Sequence, residues 1–156
     1  MAKALDVAKY YIQLAHSEDE PEQLSHLRIQ KLVYYAQGWS LALRKTPLFK
    51  ERIEAWTHGP VVAAMYHQFA DYQSNLIPSD HFRLAKGALT EDERELIHSV
   101  WNAYKGFSAL KLREMTHNEA PWKDAYGTCT PGEKCDAEIT KSAMKQYFSH
   151  IAKDRV

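Results

Sequence analysis

Cysteine is scarce in this chain, with only Cys129 and Cys135 among 156 residues. Their spacing suits neither a Cys-x-x-Cys redox pair nor half of a zinc ribbon. The expectation is therefore two free, reduced thiols in a flexible loop, with a metal held by this pair and two distant histidines as the weaker alternative. Long apolar runs are missing too. No stretch approaches the roughly 20 apolar residues that a membrane helix requires, which excludes a bilayer-spanning reading. The opening residues 1–6 reach charge before any apolar run, so no export signal is expected and a cytoplasmic protein is. Excess charge of one sign is also absent: 20 basic residues balance 20 acidic ones. A dedicated nucleic-acid binder needs surplus Lys and Arg to displace counterions, and this balance argues against one. Internal repeats and low-complexity tracts are lacking, which excludes a solenoid and a disordered linker protein.

What remains is an ordinary globular composition, 45% hydrophobic and 26% charged. A chain of this length can bury about two thirds of its unfolded surface without a disulfide or a metal. Leu5, Ala8, Ile12 and Ala15, flanked by Tyr11, predict a first amphipathic helix. Ser17-Glu18-Asp19-Glu20-Pro21 breaks it. Ser25 can then cap a second helix running to about Lys45. Its apolar residues Ile29, Leu32, Val33, Tyr35, Ala36, Trp39, Leu41 and Leu43 cover so wide an arc that it should be the hub of the fold. Arg28, Lys31, Arg44 and Lys45 are expected on its solvated face. Beyond Thr46-Pro47 the helical period disappears, predicting a short extended segment or hairpin up to Trp56.

His58-Gly59-Pro60 then predicts a sharp turn with Pro60 at the first position of a third helix carrying Val61, Val62, Met65, Tyr66 and Phe69. Residues 71–88 form a polar connector. Thr90 and Glu93 have the spacing of a capping box ahead of Leu96, Ile97, Val100, Trp101 and Tyr104, the clearest helix of the chain. Gly106 ends it and Ser108 can cap the next. Pro121-Trp122 opens a further turn of helix. Ile139, Ala143, Tyr147, Phe148 and Ile151 build a closing helix. The fold class is mainly α: one compact helical domain around a central hub helix, with a short β element after it.

Three blocks hold the residues of greatest chemical interest: the hub stretch ending in Trp39, then Trp56-Thr57-His58-Gly59-Pro60, then Thr116-His117-Asn118-Glu119-Ala120-Pro121-Trp122. In this order they resemble the Panacea domain, the family of SocA-like antitoxins also described as phage-associated proteins. The resemblance covers nearly the whole chain, so residues 1–156 are expected to form a single Panacea-like domain, with the connector 71–88 and the loop 127–137 its most mobile parts. It implies a mostly helical protein of bacteria and their phages that neutralises a toxin by direct binding. One branch of the family acts instead as an adaptor that hands a toxin to a cytosolic protease. The implied partner is a cognate protein toxin encoded by a neighbouring gene, with no membrane or nucleic-acid partner and no cofactor. The matching motif residues are Trp39, Trp56, His58, Gly59, Pro60, Thr116, His117, Glu119, Pro121 and Trp122, as structural or partner-binding residues.

Catalysis is the competing use for several of them. His and Glu together can do general acid–base work, yet no nucleophile paired with a base stands near Thr116-His117-Asn118-Glu119. A zinc site from His58, His117 and Glu119 lacks any His-Glu-x-x-His spacing. The alternative reading has Thr116 and Glu119 capping the Pro121-Trp122 turn while His117 bonds nearby backbone. Residues 101–108 superficially suit a helix-turn-helix, but Lys111 and Arg113 alternate with Glu114, leaving no clean basic face. The expectation is therefore a non-enzymatic protein with neither catalytic nor metal-binding residues.

Overall fold

The computed structural model describes residues 1–72 and 75–154 of the chain. These residues form seven α-helices, one of them central, with two small antiparallel sheets at the edges. The first helix, α1 (Ala4–His16), buries Val7, Ala8, Tyr11, Ile12 and Ala15, the face expected from the periodicity. It ends at Ser17, whose N–H turns back to the carbonyls of Gln13 and Leu14. A two-residue strand, β1 (Leu24–Ser25), leads into α2 (His26–Leu43), whose first turn is capped by the Ser25 hydroxyl accepting from the Arg28 N–H.

The helix α2 is the hub: every residue except Leu27 and Leu43 is buried. That burial overturns the expected solvated face for Arg28 and Lys31. When neighbours press on all sides of a helix, a charged residue on it has no open side to turn to. Arg28 instead donates to the Lys105 carbonyl at 2.7 Å, pairs with Glu22 at 3.2 Å and lies over the Trp101 ring. Gly38 marks the closest crossing. A Cβ placed there would sit 2.2 Å from the Phe148 ring of α7 (Lys141–Asp154), so only glycine lets the two helices approach this far. Downstream, the Gln37 carboxamide accepts from the Leu48 N–H and donates to the Phe49 carbonyl, fastening the segment that leaves the hub.

That segment becomes β2 (Ile53–Trp56), which pairs with β3 (Gly59–Val61) and with β5 (Glu138–Ile139) in the order β3-β2-β5. The hairpin is present, but it reaches past the expected boundary. Pro60 lies opposite Ala55 in the edge strand β3, not at the start of a helix. An edge strand can use a residue without an N–H, and Gly59 at φ +119° supplies the turn before it. The next helix, α3 (Ala63–Phe69), begins only after Val62. In the connector 71–88, residues 73 and 74 lie outside the described residues. Within it, β4 (Leu76–Ile77) pairs with β1.

The helix α4 (Glu91–Tyr104) carries the expected reciprocal capping box. The Thr90 hydroxyl accepts from the Glu93 N–H, the Glu93 carboxylate accepts from the Thr90 N–H, and it also reaches the Ala2 N–H. Ser108 caps α5 (Ala109–His117), and α6 (Ala120–Tyr126) opens on Pro121. Ile139, expected in the closing helix, instead lies in β5 opposite Ile53. The loop before it departs further from expectation. Cys129 and Cys135 form a disulfide, their Cα atoms 5.7 Å apart, and Cys135 is 1% exposed. A turn at Gly132, with φ +85°, folds the loop back so that the two thiols meet. They are therefore neither free thiols nor metal ligands.

Candidate functional site

The blocks around residues 56–60 and 116–122 meet at one corner, against the first half of α2. Lys31 stands at its centre with no solvent exposure. Its ammonium donates to the Pro60 carbonyl at 3.1 Å. Burial pushes its pKa down to about 7, and the neighbouring Arg113 pushes in the same direction. Gly59 makes room for it: a Cβ there would lie 2.6 Å from the Lys31 Cε and 3.1 Å from the Thr116 hydroxyl. One residue earlier, the Gln30 side-chain carbonyl accepts from the Val62 N–H, while its amide contacts the His26 Nε2 at 3.0 Å. The hub thus holds both the end of β3 and the start of α3.

His58 packs beside the Trp56 ring, with its Nδ1 buried and without a hydrogen-bond partner. Burial, aided by Lys31 and Arg113, lowers its pKa to about 4, and burial with Lys31 does the same for His26. Both rings are therefore neutral through the physiological range. Trp56 is half-buried, stacks near Tyr66, donates to the Glu54 carboxylate and receives the Lys134 ammonium over its ring.

His117 clasps two segments. Its Nδ1 lies 2.6 Å from the Arg113 carbonyl and its Nε2 lies 2.8 Å from the Thr57 carbonyl. A neutral ring can donate to one of them and an imidazolium to both. Trp122 packs on that imidazole, stacks on Tyr126 and donates its indole N–H to the Trp56 carbonyl at 2.8 Å. The bonding of His117 to nearby backbone was expected. The side-chain capping by Thr116 and Glu119 was too, but the structure contradicts it. The Thr116 hydroxyl turns back to the Arg113 carbonyl of its own helix. Glu119 occupies the N-cap position of α6 without a side-chain cap bond, because its carboxylate points inward to accept from the Tyr35 hydroxyl at 2.9 Å. Its second oxygen, Oε1, is buried and unpartnered, and burial raises its pKa to about 7.

Seven of the ten candidate residues therefore meet at the corner: Trp56, His58, Gly59, Pro60, Thr116, His117 and Trp122. Glu119 stands beside it and reaches the hub through Tyr35, while Pro121 is buried in the first turn of α6. Trp39 lies elsewhere, bonded through its indole to the Tyr104 hydroxyl and packed on Phe148. Lys31, Gln30, His26, Arg113 and Tyr35 also belong to the arrangement, and sequence reasoning passed over them. The available signal was Lys31 on an all-round apolar helix, where a charge has to lie inside.

Chemically the corner is a set of clasps. The Thr116 hydroxyl is committed to a carbonyl, and both His117 nitrogens face carbonyls. No group of three or more His, Cys, Asp or Glu side chains suited to a metal occurs among the described residues. None of their helices is long and apolar enough to cross a membrane.

The family described as antitoxin SocA-like, Panacea domain, matches residues 29–123, more than half of the chain and a stretch containing all ten candidates. No curated protein and no solved structure matches it. The match runs from the hub helix through the hairpin to the Trp122 clasp, and the chain belongs to the SocA-like, Panacea-domain antitoxin family.

Proposed function

We propose that this protein is the antitoxin of a toxin–antitoxin pair and neutralises its cognate toxin by direct protein–protein binding. The observation that carries the reading is the family match over residues 29–123. The geometry supports it, because Lys31, His117 and one Glu119 oxygen are used to join hub, hairpin and α5–α6. The ten motif residues act as braces, and the half-buried Trp56 adds a partner contact. Residues outside the matched stretch take part in the same unit, since α1 and α7 both pack on α2. The whole chain therefore works as one domain. The toxin is the product of a neighbouring gene, and binding covers its active region, with most of the energy coming from a few desolvated anchors.

Co-expression with each adjacent gene product tests the proposal. One of them should arrest growth alone, be silenced by this protein and co-purify with it. No rescue of any adjacent toxin would defeat the reading. Toxin half-life separates occlusion from adaptor action: occlusion leaves it unchanged or longer, and delivery to a protease shortens it.

A further inference from the structure

The disulfide between Cys129 and Cys135 takes no part in the clasps of the corner, yet it stands beside them. Its halves are six residues apart, and the loop between them, residues 130–134, is exposed throughout. Such a loop buries little. Its internal order is a turn from the Glu133 N–H to the Thr130 carbonyl and the positive φ of Gly132, closed by the sulfur bridge. On either side the chain is fastened to the fold by bonds that do not pass through the sulfurs. The Cys129 N–H donates to the Tyr126 carbonyl at the end of α6. The Asp136 carbonyl accepts from Arg52, and the Ala137 carbonyl accepts from the Ala55 N–H just ahead of β5. One loop side chain reaches the corner: the Lys134 ammonium lies over the Trp56 ring, 5.5 Å from its centre.

We propose that Cys129–Cys135 is a redox site opened by a small-molecule thiol, and that opening it frees Lys134 and uncovers Trp56. Access favours Cys129, which is half-buried, over Cys135 at 1% exposed. A thiolate attacks the Cys129 sulfur and forms a mixed disulfide, and the electron pair of the broken bond passes to Cys135, which takes up a proton. A second thiolate attacks the outer sulfur of the mixed disulfide and releases Cys129. The protein disulfide is thereby reduced to two thiols, while two small thiols are oxidised to their own disulfide. The fold should survive the exchange, because a short ring restricts the unfolded chain less than a long one and the backbone bonds at Cys129, Asp136 and Ala137 remain. Lys134 should not stay in place. A cation–π contact at an exposed site is weak, and residues 130–134 regain backbone freedom when the ring opens. The site stands apart from the antitoxin reading and rests on it only in making Trp56 a partner contact, which reduction would then open and oxidation close.

To test this, the full chain is purified without reductant and placed in glutathione buffers of graded reduced-to-oxidised ratio. Alkylation and mass spectrometry should find no free thiol at the oxidised end and both cysteines free at the reduced end, with an unchanged circular dichroism spectrum. Acrylamide quenching of the Trp56 fluorescence, taken as the difference between wild type and Trp56→Phe, should rise about twofold on reduction, the scale of a weak contact at an exposed site. Lys134→Ala should show the higher quenching in both buffers, and so should the double variant Cys129→Ser, Cys135→Ser. Cysteines that are free without reductant, or a bridge that glutathione leaves closed, would overturn the proposal. So would loss of the helical spectrum on reduction, because the bridge would then be a staple of the fold. Reduction that leaves Trp56 quenching unchanged, or that still raises it in Lys134→Ala, overturns Lys134 as the cover and the proposal with it. None of these measurements involves a toxin, so a failed redox site and a failed antitoxin rescue are separate results.

Discussion

Two regions of one helix differ in what they leave unspent. The first half of α2 carries the polar corner, where Lys31, Gln30 and Tyr35 hold the hairpin, α3 and Glu119 through hydrogen bonds. The last turn lies among mostly apolar residues, and Leu43 there is 59% exposed. The corner is rich in the residue types that suggest chemistry, yet most of their donors and acceptors are already matched within the fold. The far end has few polar groups. The two ends differ in chemistry: hydrogen bonds hold the neighbours at one, and apolar packing predominates at the other.

The comparison makes a first, large prediction about the corner. Trp122→Ala removes a side chain that is 8% exposed, its stacking on Tyr126 and its bond to the Trp56 carbonyl. Urea unfolding should show a loss of about 4 kcal/mol. A loss below about 1 kcal/mol, the size of an ordinary surface substitution, would mean that the clasp does not hold the corner together.

Next comes the pH response of Lys31. Its pKa is about 7 in the fold against 10.5 ordinarily, so between those values the unfolded chain binds a proton that the folded chain does not. Stability must therefore rise as pH climbs from 7 toward 10, by an amount on the order of 3 kcal/mol. Below pH 7 the contributions oppose one another: His26 and His58, lowered to about 4, make stability rise with pH, while Glu119, raised to about 7, makes it fall. Above pH 10, Tyr11 and Tyr34, held above their ordinary value by burial, turn the trend downward. Melting temperatures between pH 7 and 9.5 isolate the lysine, and Lys31→Met should flatten the curve there. An equal slope in wild type and variant would show that the buried ammonium is not its source.

A smaller effect is expected at the hairpin. Gly59→Ala forces a Cβ into a backbone at φ +119° and against the Lys31 chain, costing about 2 kcal/mol by chemical denaturation. Unchanged stability would mean that the close approach of lysine and hairpin relaxes freely. The smallest effect on stability belongs to the last turn of α2, where Leu43 is 59% exposed and Leu43→Asp should change the folding free energy by less than about 0.5 kcal/mol. A marked loss of stability would show that Leu43 serves the core after all and would erase the contrast between the two ends.

Much of the scaffold was legible in the sequence because helix signals are local. Ser25, Thr90 with Glu93, and Ser108 sit where their side chains satisfy backbone donors within three residues, and the structure uses all of them as caps. The wide apolar arc identified α2 as the hub for the same reason. Other readings failed where a distant segment intervened. Pro60 was drawn into β3 by pairing with Ala55, Ile139 into β5 by pairing with Ile53, and Glu119 away from its cap by Tyr35, which is 84 residues off. The cysteines became a disulfide because a turn at Gly132 returned the loop on itself.

By itself the sequence determined which segments are helices, where α2, α4 and α5 start, and that α2 lies at the centre, since these depend on side-chain spacing and on backbone groups a few residues apart. Only the tertiary structure decided that Lys31 is enclosed, that the blocks at 56–60 and 116–122 clasp each other around it, and that Leu43 in the last turn of the hub is exposed. Those outcomes depend on which surfaces meet in space. A charged or apolar residue has the same local signature whether a neighbouring helix covers it or leaves it exposed.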